Sequence, residues 1–119
     1  GWGGENRGGG GEGTGWYGRV VEGQEGETAA RAQFQIGECL YAMGAYDDAV
    51  RAFLKVDLLY AYPEWSGAAL YEAGRCFDEL GDSEQARARF REVIERFEGS
   101  EWARMAQRAM SRGEEVGGD

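Results

Sequence analysis

Residues 37–56, GECLYAMGAYDDAVRAFLKV, and residues 74–93, GRCFDELGDSEQARARFREV, decide the fold of this 119-residue chain. The two stretches are offset by 37 residues and share glycine, cysteine, alanine, phenylalanine and valine at matching positions. A fixed offset of this length indicates a structural unit that occurs twice. The positions are informative because small residues and one aromatic recur where two crossing helices need them.

Each repeat is predicted to consist of two helices. The first repeat covers residues 27–63 and the second covers residues 64–100. Apolar residues at helical spacing predict the helices, and a further helix follows the second repeat. Gly44 and Gly81 stand between paired helices, where a left-handed cap favours glycine. The five predicted helices cover residues 28–43, 46–61, 64–80, 83–97 and 101–112.

Several residues predict where these helices begin and which faces they bury. Pro63 suits the first turn of the third helix. Asp82, three residues before Gln85, has the spacing of a capping box, and Ser100 predicts the N-cap of the fifth helix. The first helix carries one apolar row, which we expect to be its buried face: Ala32, Ile36, Leu40 and Met43.

This pattern resembles the tetratricopeptide repeat (TPR), a family of helical repeat proteins. In that family the first helix carries a small residue where it crosses the second, and the second carries alanine followed four residues later by an aromatic. The matching residues are Gly37, Gly44, Tyr46, Ala49, Phe53 and Val56, then Gly74, Gly81, Ala86, Phe90 and Val93. The resemblance covers residues 27–112, although the 37-residue offset exceeds the usual 34. It implies an all-α, TPR-like α-solenoid of two helix pairs plus a C-terminal helix.

The two ends of the chain differ from the repeats in composition. Residues 1–26 hold twelve of the twenty-one glycines and predict a glycine-rich arm, whereas residues 113–119 form a short acidic tail. Aromatic side chains are unusual in a linker, so we expect them to anchor the arm, either on a neighbouring polypeptide or back on the chain's own repeats. Residues 16–21, WYGRVV, are predicted to be a short extended segment in that contact. The candidate anchors are Trp2, Trp16 and Tyr17.

Composition argues against catalysis and against several classes of partner. The chain has no histidine, which removes the commonest general base and metal ligand, and no cofactor or metal site is predicted. The net charge is −9 with no excess of basic residues in one place, which disfavours nucleic acid. Cys39 and Cys76 occupy matching positions of stacked repeats, which lie about 10 Å apart. A disulfide needs Cα atoms within about 7 Å, so we expect two buried free thiols.

The resemblance also implies where a protein partner binds. In TPR proteins the first helix of each pair lines a concave groove. The matching positions here contain neither lysine nor asparagine, which disfavours the family's clamp for a C-terminal carboxylate. Their aromatics suit an apolar or extended segment, or they are ordinary half-exposed side chains. The candidate groove residues are Phe34, Glu38, Tyr41, Tyr71, Arg75 and Asp78.

The second helix of the first repeat carries leucines where its counterpart is charged. Leu54, Leu58 and Leu59 align with Arg91, Glu95 and Arg96. An apolar patch of this kind indicates that something covers it, either a partner or the chain's own arm. The predicted patch consists of Leu54, Leu58, Leu59 and Tyr62.

A solenoid generally needs about three repeats and polar caps, so both ends of this array are expected to be apolar. At the C-terminal end, Trp102, Met105 and Met110 are predicted to contribute to a contact between chains. The sequence therefore predicts a non-enzymatic assembly module that associates with copies of itself head to tail, as in a filament. The alternative is an adaptor fragment of a larger TPR protein, with a cell-envelope location weakly indicated, that binds a heterologous protein segment in its groove.

Overall fold

The described part of the chain is a stack of helices. The computed structural model describes the backbone of residues 15–117 and the side chains of residues 26–113. Within these bounds there are five α-helices, named α1 to α5, and no strand, so the predicted all-α solenoid is confirmed. The bounds are Gly15–Ala42 for α1, Tyr46–Lys55 for α2, Pro63–Glu79 for α3, Ser83–Arg96 for α4 and Glu101–Gly117 for α5.

Each helix packs on the next helix along the chain. In addition, α1 contacts α3, and α3 contacts α5. The short connections between helices make neighbours antiparallel. A π-helical turn, Val56–Tyr60, continues α2, and Ala61 then ends it with a left-handed backbone at φ 53°. The stack thus has one layer formed by α1, α3 and α5 and another formed by α2 and α4.

The first helix is longer than predicted. It begins at Gly15, so the prediction of an extended segment at residues 16–21 is wrong. Adding a residue to an existing helix gains a backbone hydrogen bond without the cost of a new nucleus, which offsets part of the penalty for glycine. At the other end, α5 continues to Gly117, into the residues predicted to be an acidic tail.

The buried face of α1 also differs from the prediction. Ala30, Phe34 and Gly37 are buried, whereas Ile36 is 50% exposed and Met43 is 74% exposed. Two rows at helical spacing compete on this helix, and the row with the aromatic removes more apolar area from water. The predicted row of Ala32, Ile36, Leu40 and Met43 is therefore not the core face.

A glycine on the first helix of each pair meets a phenylalanine on the second. A Cβ atom at Gly37 would lie 2.6 Å from the Phe53 ring, and one at Gly74 would lie 2.5 Å from the Phe90 ring. Both rings are fully buried. The paired helices approach so closely that only glycine fits, as expected for the small residue at the TPR crossing.

The predicted caps and turn residues between the helices are confirmed. Gly44 and Gly81 have left-handed φ values of 80° and 82°, and Pro63 lies in the first turn of α3. The Asp82 carboxylate accepts a hydrogen bond from the Gln85 backbone N–H at 3.1 Å. Ser100 Oγ accepts one from the Ala103 N–H, also at 3.1 Å. These contacts satisfy N–H groups that the first turns would otherwise leave unpaired.

The two cysteines differ in exposure, which corrects the prediction that both thiols are buried. Both are free, but Cys76 is buried and Cys39 is exposed. Burial raises the pKa of the Cys76 thiol to about 12. The difference arises because α2 covers α3 at Cys76, whereas no described helix covers α1 at Cys39.

An ion pair joins the two repeats through the π turn and α4. Arg96 of α4 donates two hydrogen bonds to the Asp57 carboxylate in the π turn, each at 2.9 Å. Arg96 also bonds Glu92 at 2.8 Å. The Arg96 guanidinium lowers the pKa of Asp57, so the folded chain favours the charged carboxylate.

Replacing Gly74 by alanine should lower the free energy of unfolding. Overpacking against the buried Phe90 ring costs about 1–3 kcal/mol, which exceeds the roughly 1 kcal/mol that alanine gains in helix propensity. The matched control is Gly113→Ala on α5, where a Cβ meets nothing within 4 Å and stability should not fall. Thermal denaturation of both variants followed by circular dichroism measures the difference, and equal melting temperatures would contradict this account.

Arg96→Ala should destabilise the fold in a pH-dependent way. The pair contributes about 1 kcal/mol or less, since Arg96 is partly exposed and solvent screens it. Because the pKa of Asp57 is lowered, this contribution is present above the unfolded pKa of about 3.9 and is lost as pH falls through the folded value. Urea unfolding at pH 7 and near pH 3 should show a smaller wild-type advantage at the lower pH, and exposed Arg91→Ala is the control.

Candidate protein-binding groove

A concave surface lies where α1, α3 and α5 run side by side. It encloses an open cavity of about 460 Å³. One helix face from each of the three elements contributes to the lining, because successive first helices of a solenoid share one side of the stack. The lining residues are Phe34, Glu38, Glu64, Trp65, Ala68, Glu72 and Trp102.

The floor of this groove is aromatic. Phe34 packs against Phe53 and Trp65, with ring centroids 5.3 Å and 5.6 Å apart. Trp102 packs against Tyr71 at 6.1 Å. Both tryptophans are half-buried and occupy matching positions in the first turns of α3 and α5. They therefore offer preorganised apolar faces to a ligand.

The remaining polar lining is acidic. Glu38 and Glu64 are exposed, whereas Glu72 is half-buried. Burial raises the pKa of Glu72, and its ion pair with Arg75 at 2.9 Å offsets part of that rise. Glu38 adds to the rise through like-charge repulsion. A second cation in the groove would stabilise this carboxylate further.

A polar cluster ties α1 to α3 beside the groove. Arg75 donates a hydrogen bond to the Tyr41 hydroxyl at 3.1 Å, and that hydroxyl donates to Glu79 at the same distance. The Arg75 guanidinium carbon also lies 4.9 Å from the centroid of the Tyr41 ring. This cluster holds Arg75 in place and leaves it directed at Glu72 and Tyr41.

The structure brings some of the predicted groove residues together and separates others. Phe34 and Glu38 line the cavity, and Tyr41 and Arg75 form the adjacent cluster. Tyr71 is buried in the second core cluster, where its ring lies 5.7 Å from that of Phe90. Asp78 lines a different cavity, which involves α3, α4 and α5.

Five lining residues were not among the six candidate groove residues: Glu64, Trp65, Ala68, Glu72 and Trp102. The sequence did contain a signal for three of them, because Glu64-Trp65 recurs as Glu101-Trp102 at the repeat offset. Glu72 lies four residues after Ala68 and so shares its helix face. The positions taken from the TPR family identified neighbouring residues of the same helix instead.

The predicted interface residues have mixed positions. Trp2 lies outside the described residues, as do the side chains of Trp16 and Tyr17, whose backbone belongs to the first turn of α1. Leu58 and Leu59 are 78% and 62% exposed. The half-buried members contact the core of their own chain: Leu54, Tyr62, Trp102, Met105 and Met110.

The outer surface of α5 is polar. Its small apolar residues Ala103, Ala106 and Ala109 are buried against Phe90 and Val93 of α4 in the second core cluster. The expectation that the C-terminal end presents an apolar surface is therefore not met. The exposed side of α5 carries Arg104, Gln107, Arg108, Ser111 and Arg112.

Among residues 26–113, no group of three or more cysteine or acidic side chains is arranged to hold a metal ion. None of the described helices is both long enough and apolar enough to cross a bilayer.

Helix pairs that cross at a glycine, stacked around an aromatic groove, define an α-solenoid. Comparison with protein families gives a match to the tetratricopeptide repeat over residues 28–99. The chain belongs to the tetratricopeptide repeat family. Members of this family are protein–protein interaction domains and are generally not enzymes. Comparison with the curated proteins and with the solved structures gave no match.

Proposed function

We propose that this chain is an adaptor that binds a cationic segment of a partner protein in its groove. The supporting observation is the lining of the groove, in which three of the seven residues are aromatic and three are glutamates. Acidic side chains beside exposed aromatic faces favour arginine and lysine over other side chains, through charge attraction and cation–π contact. The partner segment therefore carries basic residues interspersed with apolar ones.

The position of Glu72 supports this preference. Its carboxylate is partly desolvated and only partly compensated by Arg75. A guanidinium or ammonium group entering the groove would add a charge-assisted hydrogen bond where water is already reduced, and such bonds are stronger than neutral ones. Trp65 and Trp102 then contact the aliphatic stem of the bound residue or its apolar neighbours.

Charge reversal tests the groove directly. A fluorescein-labelled peptide of alternating arginine and leucine is the probe, and a peptide of alternating glutamate and leucine is its control. Glu38→Lys with Glu64→Lys should weaken binding of the first peptide at least about tenfold, or about 1.4 kcal/mol, measured by fluorescence anisotropy. Both side chains are exposed, so the fold should persist.

The matched control is Glu95→Lys on α4, which is exposed and does not line the groove. It should leave the affinity within about twofold of the wild type at 0.15 M salt, where distant charges are screened. Equal binding of the two peptides, or equal losses in the groove and control variants, would overturn the proposal.

Binding of the arginine-leucine peptide should weaken at acidic pH. Protonation of Glu72 removes a negative charge from the groove, and its pKa lies above the ordinary value of about 4.3. As the pH is lowered, the affinity should therefore begin to fall at a higher pH than it would if only ordinary exposed glutamates became protonated. Anisotropy titrations from about pH 7 to about pH 4 should show that Glu72→Gln binds more weakly at pH 7 and loses this part of the pH dependence.

Self-association is the second function that we propose, on a separate observation. Four large apolar side chains on the first repeat are mostly exposed: Ile36, Met43, Leu58 and Leu59. Patches of exposed apolar residues commonly mark contacts with other polypeptides. The head-to-tail form fits this surface less well, because the outer side of α5 offers polar rather than apolar groups. A filament and an envelope location stay predictions from the sequence.

A further inference from the structure

Equivalent positions on the first helices of the two repeats differ in burial. Ala69, Ala73 and Cys76 on α3 are fully buried, in a cluster with α2 residues such as Val50 and Phe53. The 37-residue offset maps them onto Ala32, Ile36 and Cys39 of α1, which are all exposed. One first helix thus has its side covered by a neighbouring second helix, and the other has the same side open.

This open side of α1 forms a continuous uncharged strip. We call it the α1 surface and define it as Ala32, Ile36, Cys39 and Met43, which recur at intervals of four, three and four residues. That spacing places all four on one helix face. The positions that flank it are also uncharged, in a chain that is 29% charged: Gln33, Gln35, Leu40 and Ala42.

The order of sizes along the α1 surface is self-complementary. From the N-terminal end, the residues are small, large, small and large. If a second copy lies antiparallel, Ala32 faces Met43 of the second copy and Ile36 faces Cys39. Each large side chain then meets a small one, which is the arrangement that fills the space between two helices. A parallel pairing would place large residues opposite large ones.

We infer that two copies of the chain form an antiparallel dimer through the α1 surface. This inference rests on the self-association proposed above and names its surface; it is independent of the groove. Head-to-tail stacking would bring the α1 surface against Arg104, Gln107 and Arg108 of α5, burying guanidinium groups in an apolar contact. Self-pairing brings no charged side chain onto the strip, although each copy has a net charge of −9.

The contact is isologous, so it closes with two copies and does not propagate into a filament. The strip from Ala32 to Met43 is about 17 Å long at 1.5 Å per residue. A contact of that length buries less than the roughly 1,000 Å² expected of a stable complex, so we expect the dimer to be weak.

Sedimentation velocity of the full chain from about 5 µM to about 500 µM spans the range expected for a weak interface. Wild-type protein should shift from monomer to dimer as concentration rises. Ile36→Arg should raise the dissociation constant at least about 100-fold, because it buries an unpaired guanidinium in each copy. Ile36 is already 50% exposed, and circular dichroism verifies that the variant folds. Gln107→Arg, an exposed substitution on α5, is the matched control and should dimerise normally.

A cross-linking variant tests the antiparallel register. Ile36→Cys should place the new thiol opposite the native Cys39 of the second copy, within the roughly 7 Å that a disulfide requires. Mild oxidation with diamide should then give a covalent dimer on a non-reducing gel. Thr28→Cys, displaced by about two helical turns, should cross-link much less. Equal yields would show that the register is wrong.

The native Cys39 also reports what covers the α1 surface. Maleimide alkylation followed by mass spectrometry should label Cys39 rapidly at low concentration and slowly at high concentration, while buried Cys76 stays unlabelled. Protection of Cys39 in the monomer would mean that the chain's own arm occupies the surface, which overturns the inference.

Two further results distinguish failure of the α1 contact from failure of self-association. A dimer that Leu58→Arg disrupts and Ile36→Arg does not would overturn the α1 contact while self-association stands. A monomer at every concentration would overturn both. Neither result bears on the groove, which the peptide experiments test separately.

Discussion

The contact between a glycine of one helix and a phenylalanine of the next sets the spacing of each helix pair. At Gly37 and Gly74 the facing ring occupies the volume where a Cβ atom would lie. The close approach allows Phe53 and Phe90 to fill the interior of their pairs without a void. Since both repeats use the same contact, they have similar geometry, and stacking them places α1, α3 and α5 on one side. The groove is a consequence of that repetition.

Much of the fold could be predicted because its determinants are local or periodic. Left-handed glycines, a proline in a first turn and short side chains at N-caps act within a few residues, so the ends of α2, α3 and α4 were predicted closely. The face of α1 could not be predicted in the same way. The apolar row on α1 has the helical spacing of a core face. The row at the equivalent positions of α3 is buried because α2 covers it, and this is visible only from the packing of the helices. Burial at those positions depends on a third helix, which periodicity within one helix does not report.

The groove was predictable in part for a related reason. Family positions identified Phe34 and Glu38, which lie in the C-terminal half of α1 and line the groove. Trp65 and Trp102 enter from the first turns of α3 and α5, and Tyr71, which the same family positions included, turns into the core beside Phe90. Neighbouring positions on one helix face differ only by small rotations about the helix axis. Which of two neighbouring side chains reaches the groove is therefore a property of the assembled stack.

Under the function that we propose, the acidic groups and the aromatic floor of the groove act at two different stages of partner capture. If the partner segment is cationic as proposed, long-range attraction by Glu38, Glu64 and the net negative charge acts before contact and raises the rate of encounter. It extends only about 8 Å at physiological ionic strength, so the on-rate falls as salt is added. Trp65, Trp102 and Phe34 act only after contact, and they govern the lifetime of the complex, which salt affects little. A partner with correct charge but no apolar residues would thus arrive quickly and leave quickly.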